Sequence, residues 1–209
     1  MTPRTALERG LQTKGLALPA GVEERLMKYT ELLAKWNRTY NLTAVRDPLA
    51  MVSHHLLDSL AVLPHLDFAG ADARVADIGS GGGLPGIPLA LARPRWHIAL
   101  VEPNEKKAAF LQQAKIELRL SNVEIQAQRV EAWHPAERFA IVISRAFAEL
   151  AELAAACKHL LAPNGVIAAM KGKDPRDEMA RVSGYRCKAI PLSVPFVDGE
   201  RHLVFCEPA

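Results

Sequence analysis

The sequence predicts an α/β fold: a mostly parallel sheet with helices on both faces, closed by an antiparallel hairpin and preceded by a helical N-terminal extension. Three observations carry this reading. From Ala73 onward, short β-rich apolar runs alternate with helical segments, the pattern of a parallel sheet covered on both sides. After Val182 the last two such runs are joined by "PFVDGE" with no helix between them, and a short loop joins only antiparallel neighbours. Before residue 70 there is no strand signal. A chain of 209 residues suits one compact unit, divided into an extension over 1–70 and an α/β core over 71–209.

The first clear element begins at Val22. Leu26, Tyr29, Leu33 and Trp36 follow at steps of four and three, while Glu23, Glu24, Arg25, Lys28, Glu31 and Lys35 fill the other face, which makes an amphipathic helix. Trp36 is either the last rung of its apolar stripe or a functional contact. "NRTYNLTAVRDP" breaks the period, with Asn37 and Asn41 placed to cap or turn the backbone. Asp47 as N-cap and Pro48 as first helical residue open a second helix, expected to run to Leu63. On it His55, Asp58 and Ser59 share one face and are expected to form a hydrogen-bonded packing network. The lack of a G-x-S-x-G elbow and the mid-helix place of Ser59 speak against a Ser-His-Asp hydrolase.

The strand runs are "ARVADIG", "WHIALVEP", "NVEIQAQ", "FAIVISRA", "GVIAAMKG", "CKAIPLSV" and "RHLVFCEP". Helices are expected near Pro85–Ala92, Glu105–Leu120 and Ala148–Leu161, the last with a stripe of Leu150, Leu153, Ala154, Cys157 and Leu161. Pro163–Gly165 reads as a turn into the fifth strand. Tyr29, Phe110 and Phe139 read as core.

The net charge of +3 and pI near 8.8 permit a nucleic-acid partner without requiring one. The polar opening "MTPRTALERG" lacks a signal core, and no apolar stretch approaches the ~20 residues of a membrane span. A cytoplasmic, monomeric protein is expected. Cys157, Cys187 and Cys206 stand far apart with no C-x-x-C, so reduced and mostly buried thiols are expected. The seven histidines fall into no metal-binding spacing, so no metal is expected.

"DIGSGGG" (Asp77–Gly83) lies between the first strand and a helix, where open parallel sheets bind ligands. Two frames fit: D-x-G-x-G-x-G across Asp77, Gly79, Gly81 and Gly83, and G-x-G-x-x-G across Gly81, Gly83 and Gly86. A carboxylate at Asp77 would oppose a pyrophosphate at the helix N-terminus and suit the cationic S-adenosylmethionine. Glu102, ending "ALVE", is placed to accept hydrogen bonds from a ribose. An NAD-dependent oxidoreductase using the second frame is the rival, and the Tyr-x-x-x-Lys that would support it is absent. A non-catalytic RNA-binding module is the other rival, opposed by intact Gly79, Glu102 and Arg145.

Five segments carry a family resemblance: "KWNRTYNLTAVRDP" (Lys35–Pro48), "HLLDSL" (His55–Leu60), "DIGSGGGLPGIPLA" (Asp77–Ala90), "SRAF" (Ser144–Phe147) and "MKG" (Met170–Gly172). Together they resemble the bacterial small-subunit rRNA methyltransferase G family, also called glucose-inhibited division protein B. The resemblance implies a Rossmann-like class I S-adenosylmethionine-dependent methyltransferase fold, and methylation of N7 of guanine 527 in the 530 loop of 16S rRNA, free or within a 30S ribosomal particle. It places Gly79 and Leu84 at cofactor-contacting loop positions, Val130 and Glu131 beside the adenine, and Arg145 at the active-site mouth. Ser80, Gly82 and Leu84 replace residues that are often Thr, Ala or Pro, and Phe. Asp77, Gly81 and Glu102 complete the expected cofactor set. Arg145 is expected to position the reactants, and Lys35, Arg38, Arg46, Lys171, Lys173 and Arg201 to meet RNA phosphates.

Overall fold

A computed structural model describes every residue from Met1 to Ala209 except Ala146 and Ala148. Its single sheet has the order β3-β2-β1-β4-β5-β7-β6, built from β1 (Arg74–Ile78), β2 (His97–Val101), β3 (Val123–Gln126), β4 (Phe139–Arg145), β5 (Leu161–Lys171), β6 (Tyr185–Pro191) and β7 (His202–Pro208). β1 to β5 are parallel, and β7 runs antiparallel between β5 and β6. The closing hairpin is therefore present, with its second strand on the inside.

The two-residue period of the strands splits their side chains between two cores. Val75, Ile98, Leu100, Ile141 and Ile143 face one cluster, and Ala76, Ile78, Ala99, Val101 and Val142 face the other. The first face is covered by α1 (Pro3–Lys14), α2 (Val22–Tyr40), α5 (Gly86–Ala92), α6 (Glu105–Glu117) and the segment around residue 57, the second by α7 (Leu150–Cys157). Each large side chain removed from water there contributes about 1.5–3 kcal/mol. The helices of residues 1–70 thus share a core with the sheet.

Local chemistry explains the helix ends. Asp47 Oδ1 accepts from Ala50 N at 2.8 Å with Pro48 at the first position, and Asn41 ends α2 in the left-handed conformation. Asn37 Oδ1 accepts from Thr43 N at 2.9 Å, so both asparagines turn backbone as expected. Trp36 packs edge-on against Phe110 with ring centres 5.7 Å apart, tying α2 to α6.

Four expectations change. α1 carries a Thr2 cap, Pro3 and a left-handed Gly15, which the sequence reading passed over because its buried stripe is only Ala6, Leu7, Gly10 and Leu11. The helix expected to reach Leu63 is α3 (Pro48–Met51), a π-helical segment Val52–Leu57 and α4 (Asp58–Leu60). Pro163–Gly165 lies inside β5 as an irregularity: the β4 register steps from Leu161 to Val166, with Asn164 at φ 62°. Cys187 and Cys206 face each other across the β6–β7 pair at a Cα separation of 4.1 Å and are bonded, leaving Cys157 as the free, buried thiol. The separation in sequence hid that pairing. Ala148, where the helix ending at α7 was expected to start, and Ala146 of the "SRAF" run lie outside the described residues.

Candidate active site

The loop from β1 to α5 uses its glycines for two different purposes. Gly79 and Gly81 have φ of 69° and 56°; a Cβ on Gly79 would meet nothing within 4 Å, and on Gly81 only Gly79 O at 3.8 Å. These two leave open space against a bare backbone. Gly83 and Gly86 do not: a Cβ would lie 2.8 Å from Ile87 Cγ1 at the first and 2.7 Å from Asp77 Oδ2 at the second. They are packing glycines.

The loop is held from every side. Gly79 N and Ser80 N donate to Val101 O at 2.9 and 3.2 Å, and Ser80 Oγ donates to Asp77 O at 2.8 Å. Glu102, 5% exposed, accepts from Gly81 N at 2.8 Å and from Asn104 N at 2.9 Å. From the opposite side the buried Tyr29 hydroxyl donates to Gly82 O, and burial pushes its phenol pKa far up. Leu84, at the end of the loop, is buried.

Asp77 departs from its expected place. Its side chain is fully buried beneath the loop, where Oδ2 accepts from Gly86 N at 2.9 Å. Burial, partly offset by that bond and by Arg145, raises its pKa to about 7. It organises the loop from below and does not face a ligand, so the electrostatic argument that separated the two glycine frames falls away. Val130 is buried and Glu131 half exposed in the 3-10 turn Val130–Ala132. That turn follows β3 on the same carboxyl side of the parallel strands as the glycine loop.

Beside these loops, at the carboxyl ends of β4 and β5, lies a cleft of ≈ 600 Å³ that includes His54, Asp58, Arg145, Phe147, Lys173 and Arg201 in its walls. Arg145 Nη1 donates to His54 O at 2.9 Å and to Asp58 Oδ2 at 3.3 Å. Arg201 Nε lies 3.3 Å from Asp58 Oδ1. The charge of Arg145 is therefore paired, with a fifth of its side chain still reaching solvent.

His55, Asp58 and Ser59 do not bond to one another as the sequence suggested. His55 Nε2 bonds Thr43 Oγ1 at 2.8 Å, and Ser59 Oγ is buried without a partner among the described residues. Burial, with Arg145 adding to it, lowers the His55 pKa to about 4, so its ring is neutral at pH 7.

Lys171 is the second correction among the site residues. Its side chain is only 10% exposed, and its ammonium donates to Glu178 Oε2 at 2.6 Å and to Phe147 O at 3.2 Å. It braces the cleft wall and is not free for phosphates. Lys173 is exposed on the same rim, and Lys35, Arg38 and Arg46 are exposed on α2 and the segment after it. The sequence reading missed the tie of Asp58 to two arginines far along the chain and the Tyr29 support of the loop. Local spacing carries no sign of either.

The sheet order, the open-backed Gly79 and Gly81, and an acid at the end of β2 define a class I methyltransferase fold, whose methyl donor is S-adenosylmethionine. The chain belongs to the rRNA small subunit methyltransferase G family, whose sequence profile matches residues 22–204. It is 52% identical over 207 residues to the ribosomal RNA small subunit methyltransferase G of Aromatoleum aromaticum, covering 96% of this chain and 97% of that one. The protein of the same name from Laribacter hongkongensis is 49% identical over 206 residues, with 98% of each chain covered. Among solved structures, a complex of DhpI with SAH matches with a TM-score of 0.56 over 90% of this chain and 97% of that chain. At 16% identity that likeness is one of fold.

Proposed function

We propose that this protein transfers a methyl group from S-adenosylmethionine to N7 of guanine 527 in the 530 loop of 16S rRNA. The observation that carries the reading is the cationic cleft holding Arg145, set beside a glycine loop whose Gly79 and Gly81 are open to a ligand. The Gly79 and Gly81 backbone, Leu84, Glu102, Val130 and Glu131 would hold the cofactor, which supplies a methyl activated by its sulfonium. Glu102 is already engaged by two backbone N–H groups and keeps free lone pairs for ribose hydroxyls.

Guanine N7 carries an in-plane lone pair and needs no deprotonation. The site therefore needs no general base; His55 is bonded to Thr43, and its lowered pKa makes it a weak one. Positioning supplies the catalysis. Because N7 is the nucleophile, recognition falls on O6 or the Watson–Crick edge of a base splayed from its loop. Lys173, Arg201, Lys35, Arg38 and Arg46 are the cations offered to phosphates.

The test is chemical. N7-methylguanine is cleaved after reduction and aniline treatment, so 16S rRNA incubated with the protein and S-adenosylmethionine should be cut at one guanine of the 530 loop. Methyl found on an exocyclic amine or a ribose would overturn the site assignment. Gly81→Val should abolish calorimetric binding of S-adenosylhomocysteine, since its side chain would fill the open space above the loop.

A further inference from the structure

We infer that Asp58 is a positioning residue of this site, clamping Arg145 and Arg201 through the two oxygens of one carboxylate. The inference rests on the methyl-transfer reading of the cleft. Asp58 Oδ2 accepts from Arg145 Nη1 at 3.3 Å, whereas Oδ1 meets Arg201 Nε at 3.3 Å as a charge contact without hydrogen-bond geometry. The three residues come from α4, the end of β4 and the residue before β7, so the contact unites parts of the chain that no local element holds together.

Asp58 is 5% exposed, whereas the Arg145 and Arg201 side chains keep 21% and 26%. The carboxylate is thus nearly buried in the cleft wall, while the arginines beside it stay partly open. What reaches the cleft is the pair of guanidinium groups. Their charges sum with Asp58 to +1, a net cation suited to an electron-rich base edge or a phosphate oxygen. Without the carboxylate, two like charges would share one wall of the cleft and move apart towards solvent.

His54 O adds a second anchor. It stands four residues before Asp58, so the two lie on one face of the helix, and it takes the other bond from Arg145 Nη1. The guanidinium is fixed in direction as well as in place. Arg201 has no such second anchor on the helix; its Nη1 bonds only the neighbouring Glu200 O. Of the two arginines, Arg145 is the one held rigidly, and Arg201 is the one that can turn towards RNA.

Asp58→Asn keeps the shape and one acceptor oxygen and removes the charge. Single-turnover methylation should fall roughly 10- to 100-fold, the effect of misplacing a reacting group by about 1 Å. S-adenosylhomocysteine affinity should stay near wild type, and the thermal midpoint should fall while unfolding stays cooperative, since Asn leaves two guanidinium groups without their anion. Arg145→Gln should be impaired, and the Asp58→Asn, Arg145→Gln double variant no slower than Arg145→Gln alone, because Asp58 acts through that arginine. Losses that add in the double variant, or a wild-type rate in Asp58→Asn, would overturn the clamp.

A readout on the unaltered protein guards against a variant that does not fold. The Arg145 Nη–H resonances, which belong to the group that bonds Asp58 and His54, should exchange with water more slowly than those of the exposed Arg38, and equal exchange also overturns the proposal. If the wild-type protein modifies a different atom of the RNA, the function proposed above fails, while these measurements still decide the clamp.

Discussion

Asp77 and His55 are buried ionisable groups whose contributions to stability run in opposite directions over the same range of pH. Asp77 is raised from 3.8 to about 7, so between those values the folded protein holds a proton that the unfolded chain has released. Its contribution to stability is present below pH ~4 and lost as pH rises to 7. His55 is lowered from 6.5 to about 4, so in its window the unfolded chain binds the extra proton. That contribution is present above pH 6.5 and lost as pH falls to 4. Each limiting slope is about 1.4 kcal/mol per pH unit, and together they nearly cancel. Urea unfolding of Asp77→Asn should therefore show stability rising with pH between 4 and 6.5. His55→Gln should show it falling over the same range. Matching slopes in the two variants would mean that these groups are not buried as described.

The glycine loop separates ligand space from packing within a single element. Gly86→Ala should cost about 1–3 kcal/mol of stability, as overpacking does, because its Cβ would press on Asp77 and Leu100. Gly79→Ala should cost about 1–2 kcal/mol through the left-handed backbone alone and should weaken S-adenosylhomocysteine binding in a calorimetric titration. If Gly79→Ala binds the ligand normally, the open face of the loop is not where the cofactor lies. The loop and its strand were legible in advance because glycines and β-branched runs report on local backbone. So were the Asp47 cap and the α2 stripe. The π-helical segment was not, since Val52–Leu57 keeps a helical apolar pattern whichever way its hydrogen bonds are spaced. The burial of Asp77 was hidden for a related reason: sequence places it at the loop but does not say on which side. Lys171 misled in the same way, its partner Glu178 lying in a separate short helix, Arg176–Ala180.

At the scale of the whole molecule, residues 1–70 behave as part of the core. Tyr29 and Leu33 touch the glycine loop at Gly82, Gly10 lies against Leu57 so closely that a Cβ would collide with it, and Asp58 closes on Arg145 and Arg201. A fragment of residues 71–209 should therefore lack cooperative thermal unfolding and bind an apolar dye such as ANS. A sharp transition with no dye binding would show the division at residue 70 to be a true domain boundary. None of these contacts was legible in the sequence, because each joins residues far apart in the chain that only the folded packing brings together. The order of strands also governs timing. β6 precedes β7 in the chain yet pairs with β7 alone, while β7 takes the inner place beside β5. As the polypeptide is made, β6 emerges before β7, the one strand it pairs with in the finished sheet. Docking of the two strands and delivery of Arg201 to Asp58 then become one kinetic event, so a molecule with these two strands unpaired has no finished cleft to offer RNA.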